Sequence, residues 1–104
     1  MSVVHVIAIL SAKPGKRSAV LSIFNANITT VLAEEGCIVY EATIDAENSG
    51  PGKASFGPDT FVVVEKWSSM DALKTHSNSA HMQAFGAATK DMMANRTVHF
   101  LSPA

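Results

Sequence analysis

Glu65, Trp67, His76 and His81 all fall within "VVVEKWSSMDALKTHSNSAHMQAF", residues 62–85, which holds the chain's only Trp and two of its four His. Carboxyl and imidazole groups are the side chains best suited to moving protons near neutral pH. A Trp beside them offers a flat wall for an aromatic ligand. If residues 60–67 form a strand, alternation puts Glu65 on the face of Phe61, Val63 and Trp67. Apolar neighbours raise the pKa of a carboxyl group, letting it hold or exchange a proton near neutrality. Pairing with a His or Arg, within the chain or across a subunit interface, is the structural alternative.

His76 and His81 are separated by about 140° on a continuous helix. They therefore do not share a face as the His-x-x-x-His pair of a zinc site does. "SNS" (77–79) interrupts or bends that helix, and a bend could aim both rings into one cavity. No Asp, Glu or Cys cluster accompanies them in sequence, so no metal site is expected. The alternative leaves one His in solvent and the other capping a helix segment. Asn27 is polar beside an apolar helix stripe, where a ligand oxygen, backbone or water must satisfy it. Tyr40 could donate to a ligand or complete the core, and Met82 and Phe85 lie on an inner stripe that would make an adaptable apolar wall.

Other motifs fail. "GPGKAS" lacks the first Gly of a phosphate loop, with Glu47 in its place, and Ala54 follows the Lys. There is no G-x-G-x-x-G after the first strand and no G-x-S-x-G elbow. Cys37 follows Gly36 with no basic neighbour and is expected to be buried and inert.

The elements that must position these residues follow from periodicity. "SVVHVIAILSA" (2–12) predicts a strand, with Val3, Ile7 and Ile9 on its outer face. Val20, Ile23, Phe24, Ile28, Val31 and Leu32 predict a helix from Pro14 to Glu35, closed by Gly36. "CIVYEATID" (37–45) predicts a second strand, with Ile38, Tyr40, Ala42 and Ile44 on one face and Val39 opposite. Residues 46–59, rich in Gly, Pro and Ser, form a long connection of the kind that is a lid or is mobile. A third strand (60–67) leads into a helix opened by a Ser68–Asp71 capping box. That helix resumes after the break with Met82, Phe85, Thr89, Met92 and Met93 inward, and "TVHFL" (97–101) is the last strand. The order βαββαβ is a split pair of βαβ units: a ferredoxin-like α+β fold with a four-stranded antiparallel sheet and helices on one face. The other face is apolar too, with His5 and His99 on it, and a second copy of the sheet is its simplest cover. A homodimer is expected.

At 104 residues the chain is one domain, 1–104. Its net charge of −1 argues against nucleic acid and anionic membrane as partners. The apolar run "VVHVIAIL" is too short for a bilayer, and the lone Cys excludes an intrachain disulfide. A reduced, cytoplasmic protein is expected.

"EEGCIVY" (34–40) together with "FVVVEKWSSMDALKTHSNSAHMQAF" (61–85) resembles the antibiotic biosynthesis monooxygenase superfamily, in particular its small quinol monooxygenase-like branch. The likeness extends to the first strand, the "PGK" and the final "HFLSP". It implies a dimeric α+β barrel with a cavity between sheet and helices. Members oxidise quinols or polycyclic phenols with O₂ through a substrate anion, using neither metal nor flavin. It implies a small aromatic substrate, O₂ as co-substrate and no cofactor. Carried onto this chain, a His (His76 or His81) takes the proton, Glu65 orients or shares it, and Trp67 shapes an aromatic pocket. One polyketide-oxidising member has an Asn four residues before that Trp, where Val63 stands here, so its substrate contacts are not retained intact. The haem-degrading branch, which carries a Trp in its second helix, does not fit. A branch that isomerises a small phosphorylated hydroxy-diketone shares the H-x-x-x-x-H spacing, although Lys13, Lys16, Arg17, Lys53, Lys66 and Lys74 are scattered at element ends. A non-catalytic dimeric ligand-binding module is the third reading, favoured by a cavity packed shut.

Overall fold

Alternation in the first strand is complete: Val4, Val6, Ala8, Leu10 and Ala12 are buried and the residues between them half-buried. In the computed structural model, which describes residues 2–104, this strand lies inside a four-stranded sheet, between the strands Thr60–Trp67 and Met93–Leu101, with the strand Cys37–Thr43 beyond the former. The elements are β1 (Val4–Ala12), α1 (Arg17–Leu32), β2 (Cys37–Thr43), β3 (Thr60–Trp67), α2 (Met70–Ser77), α3 (Ala80–Thr89), a 3₁₀ turn (Lys90–Met92) and β4 (Met93–Leu101). All three strand pairings are antiparallel. This is the ferredoxin-like α+β fold.

Register brings the inner face into rows. Tyr40, Glu65, Val6 and Phe100 stand opposite one another across all four strands, as do Ala42, Val63, Ala8 and Val98 in the next row. Helix α1 buries Val20, Phe24 and Val31. Phe24 stacks on Tyr40 at 5.1 Å between centroids and meets Phe61 and Phe85 edge-on. These aromatic pairs tie α1 and α3 to the β2–β3 half of the sheet. The β4 edge is left open, with Val98 and Phe100 exposed on the helix-bearing face.

Several boundaries differ from expectation, each for a local reason. Pro14 lies in a turn before α1 rather than in its first turn, because Gly15 takes φ +78° and its N–H bonds Asp59 Oδ1 at 2.9 Å. The helix stops at Leu32, itself half exposed. Strand β2 ends at Thr43 and carries an irregularity between Cys37 and Val39, so Cys37 and Tyr40 face inward while Ile38 and Ile44 are exposed. The α2 cap is Ser69, whose hydroxyl accepts from Ala72 N–H at 3.1 Å, and not Ser68. Strand β4 begins at Met93, four residues early, so Met92 and Met93 leave the helix stripe for the turn and the strand. The 46–59 connection closes at its base, where the Asp45 carboxylate accepts from Phe56 and Gly57 N–H.

Gly36 is the tightest backbone position. It has φ +85°, and a Cβ there would stand 2.6 Å from both Ala72 Cβ and Ser68 Oγ. Left-handed strain costs a non-glycine residue roughly 1–3 kcal/mol and the clash adds to it. Gly36→Ala is therefore expected to lower the unfolding free energy by at least about 2 kcal/mol. Urea denaturation checks this, and a loss below about 0.5 kcal/mol would mean that the turn and α2 part without penalty.

Candidate active site

The turn after α1 and the break between α2 and α3 face each other, and the polar site lies between them. Cys37 N–H bonds Glu34 O at 3.2 Å and Ser68 N–H bonds Gly36 O at 2.8 Å, which holds the turn against the end of β3. Ser79 makes the break: its N–H and hydroxyl both donate to His76 O, at 3.0 and 2.7 Å, while its Oγ caps α3 through Met82 N–H. The bend anticipated at residues 77–79 therefore exists, and it brings both imidazoles to one carboxylate. Glu34 Oε2 lies 2.8 Å from His76 Nδ1 and 3.0 Å from His81 Nε2. A carboxylate oxygen accepts, so both rings donate to it.

For His76 this fixes which nitrogen does what. Nδ1 carries the proton shared with Glu34, and the ring packs on Trp67 at 4.6 Å and edge-on to Tyr40 at 5.5 Å. Nε2 makes no hydrogen bond among the described residues, yet no buried side-chain polar atom is left without a partner. That nitrogen is the accessible edge of a residue only 4% exposed, and the cavity is where it opens.

The cavity has a volume of about 600 Å³ and lies between the sheet and α2–α3. Val6, Leu10, Phe24, Val63 and Phe85 make much of its wall, and Glu65, His76 and Tyr40 reach it from one side, with Met82 alongside. Arg96 and Lys90 also line it. Arg96 is opposite Leu10 in the register, on the cavity face of β4.

Glu65 is buried, and desolvation is the main reason its pKa rises above the ordinary 4.5. The Trp67 indole N–H, donating to Oε1 at 2.8 Å, and the Arg96 charge partly offset that rise, as does His76 when it is protonated. Tyr40 is pushed well above the usual phenol range by burial first and by Glu65 and Glu34 next, so it is a neutral donor, directed to Met82 Sδ at 3.9 Å. Burial and the Glu34 charge push the half-buried Cys37 thiol up to about 11.

A raised carboxyl pKa makes a stability prediction. Between 4.5 and its raised folded value, Glu65 holds a proton when folded and loses it when unfolded, so stability falls as pH rises through that window. Glu65→Gln keeps the acceptor for Trp67 and removes the titration. Its denaturation midpoint is expected to change less with pH above 4.5 than that of the unmodified chain. Parallel pH profiles would show that Glu65 is not the cause.

Of the other residues singled out in the sequence, Trp67 is fully buried behind Glu65 and His76 and does not line the cavity. Asn27 and His81 open onto a second, smaller cavity of about 260 Å³ between α1 and α3, where Phe85 forms a shared wall. Asn27 Nδ2 meets Met82 Sδ at 3.9 Å. No residue of the 46–59 connection lines either cavity. His5 and His99 lie on the outer face by register, opposite Lys66 and Ile7.

Glu34, Arg96 and Lys90 escaped the sequence reading. Glu34 lies in the "EEG" helix-ending turn, where an acidic residue reads as solvent-facing; no acid stands near the His residues in sequence, but the fold supplies this one. Arg96 was lost with the early start of β4. Glu34, His76 and His81 are the one group among the described residues that could hold a metal ion, their ligand atoms all lying within 4.8 Å of one another. No described helix is long and apolar enough to cross a membrane.

The chain is 36% identical over 100 residues to "Probable quinol monooxygenase YgiN" of Escherichia coli, covering 94% of this chain and 95% of that one. Rv0793 of Mycobacterium tuberculosis superposes with a TM-score of 0.80 at 29% identity, over 99% of this chain and 96% of that one. PA3566 of Pseudomonas aeruginosa shares the fold with a TM-score of 0.82 at 24% identity, over 100% and 96% of the two chains. The profile of the antibiotic biosynthesis monooxygenase family matches residues 3–88. With fold, sequence profile and relatives in agreement, the chain belongs to the antibiotic biosynthesis monooxygenase family, which supports a function of the monooxygenase type.

Proposed function

We propose that the protein oxidises a quinol or polycyclic phenol with O₂, without a cofactor, by way of a substrate anion formed in the large cavity. The observation that carries this reading is His76: Nδ1 is held by Glu34 at 2.8 Å, and the unbonded Nε2 faces an apolar chamber. A neutral imidazole with one nitrogen anchored on a carboxylate is oriented to accept a proton at the other. The phenolic O–H gives its proton to Nε2 and the anion becomes the reductant. Glu65, whose pKa burial raises, lines the same cavity and orients or shares that proton, and the apolar walls keep water from competing. For a substrate of the anthrone type, a ring CH₂ becomes C=O, the second oxygen atom leaves as water, and all four electrons come from the substrate. Cavities of about 300–1,000 Å³ hold small organic ligands, so 600 Å³ suits a two- or three-ring compound. The relative named a quinol monooxygenase supports the substrate class.

O₂ consumption by metal-stripped protein over a panel of naphthoquinols and anthrones, with autoxidation subtracted, tests the proposal. Uptake well above the blank is the expected result; none with any member would turn the reading to proton transfer alone. One observation favours that second reading. Arg96 and Lys90 supply the cavity cations that a phosphorylated hydroxy-diketone would need, and isomerisation asks the same His and Glu to shuttle a proton. An open rather than filled cavity disfavours a purely structural module.

The working unit we propose is a homodimer joined through the outer sheet face, where Ile7, Ile9 and Val64 are half-buried in the single chain. Light scattering at micromolar concentration is expected to give twice the chain mass, and a monomer would remove the idea.

A further inference from the structure

We infer that Glu34, His76 and His81 bind a zinc-type divalent cation, and that the bound ion silences His76 as a base. Binding stands on geometry alone, whereas the silencing rests on the catalytic reading above.

One carboxylate and two imidazoles are a donor set that zinc accepts, with water completing the coordination. The three residues come from the α1–β2 turn, the last turn of α2 and the first turn of α3, so the fold and not local sequence makes the cluster. Both nitrogens already converge on Glu34 Oε2, at 2.8 and 3.0 Å. Tetrahedral ligands at zinc bond lengths stand about 3.3 Å apart, so each nitrogen must withdraw from Oε2 by a few tenths of an ångström, while the two nitrogens, which lie within 4.8 Å of each other, close on one another. His81 has the room, since its side chain is 27% exposed, while that of His76 is 5% exposed and clamped against Trp67. Ser79 Oγ donates to His76 O, accepts from Met82 N–H and stands 3.2 Å from His81 Nε2, and the fourth position faces the side of the second cavity, which His81 lines.

The proton bookkeeping gives the consequence. In the metal-free site, Nδ1 of His76 and Nε2 of His81 carry the protons donated to Glu34. A cation takes both positions, and each neutral ring moves its proton to the other nitrogen. For His76 that nitrogen is Nε2, the one facing the cavity. It changes from acceptor to donor and can no longer take a proton from substrate.

Calorimetric titration of chelator-treated protein with Zn²⁺, together with the visible spectrum of the Co²⁺ form, reads the site without any substrate. One ion per chain and a tetrahedral Co²⁺ spectrum are expected. The affinity should fall at least about tenfold in Glu34→Gln, and likewise in both His81→Ala and the gentler His81→Gln. No binding at about 100 µM metal, a level at which a three-ligand site would be filled, would overturn the proposal. So would binding unchanged in all three variants, which would put the ion elsewhere, for instance at His5 and His99. Where a quinol is turned over, Zn²⁺ should inhibit with a midpoint matching the calorimetric Kd, and full activity at saturation would overturn the silencing. If no quinol is consumed at all, the catalytic reading fails while the titration still decides the metal site.

Discussion

His76→Ala is expected to lower kcat/KM for the responsive quinol by about 10²–10⁴-fold, the range that a positioned general base contributes. The loss should appear in kcat, because the imidazole nitrogen acts on the reacting proton while the apolar walls of the cavity hold the ring system. His76 is nearly buried, so its removal also leaves a void against Trp67 and takes one donor from Glu34. His76→Gln fills more of that space and separates folding from chemistry. Glu34→Gln makes a complementary measurement: the base remains, but the amide no longer fixes its tautomer, and a partial loss of kcat with intact substrate affinity is expected. A folded His76→Gln protein turning over within threefold of the unmodified chain would remove His76 from the mechanism.

Trp67→Ala is expected to cost about 3–5 kcal/mol of stability, the usual range for emptying a buried aromatic site. Trp67 has no exposed surface, backs the His76 ring and supplies the N–H held by the buried Glu65. A loss of this size is a large share of what holds a domain of about 100 residues together. Trp67→Phe separates the two contributions. It keeps most of the ring and deletes the donor, at about 1–3 kcal/mol for a buried acceptor left without a partner. Urea denaturation monitored by circular dichroism reads both variants. The family resemblance implied that Trp67 shapes an aromatic pocket, and its position makes a contrary demand. Substitution should act on stability and on the Glu65 carboxyl before it acts on KM. A Trp67→Phe protein of unchanged stability but with KM raised tenfold would show the indole in contact with substrate after all.

The order of elements and the inner face of the central strands were legible because β-branched alternation and helical spacing are local signals. Phe61, Val63, Glu65 and Trp67 share a face for no reason beyond the strand's two-residue repeat. The same repeat explains the error in β2. One irregularity after Cys37 shifts the phase, which turns Ile38 outward and pairs Cys37 with Tyr40 on the inside. The bend at residues 77–79 was visible as a run of Ser and Asn, yet its result was not, because the carboxylate it serves lies more than forty positions earlier in the chain.

By itself, the sequence determined the ferredoxin-like arrangement, the burial of Glu65 among apolar neighbours and the presence of two imidazoles beside a helix break. Each follows from periodicity or from the chemistry of adjacent residues. Tertiary structure alone decided that Glu34 joins His76 and His81, that Arg96 and Lys90 enter the cavity wall, and that Trp67 stands behind the site instead of lining it. Those outcomes depend on which turn meets which strand end and on how far each helix stands from the sheet. Such distances are set by packing volumes across the whole core, which no short stretch of sequence encodes.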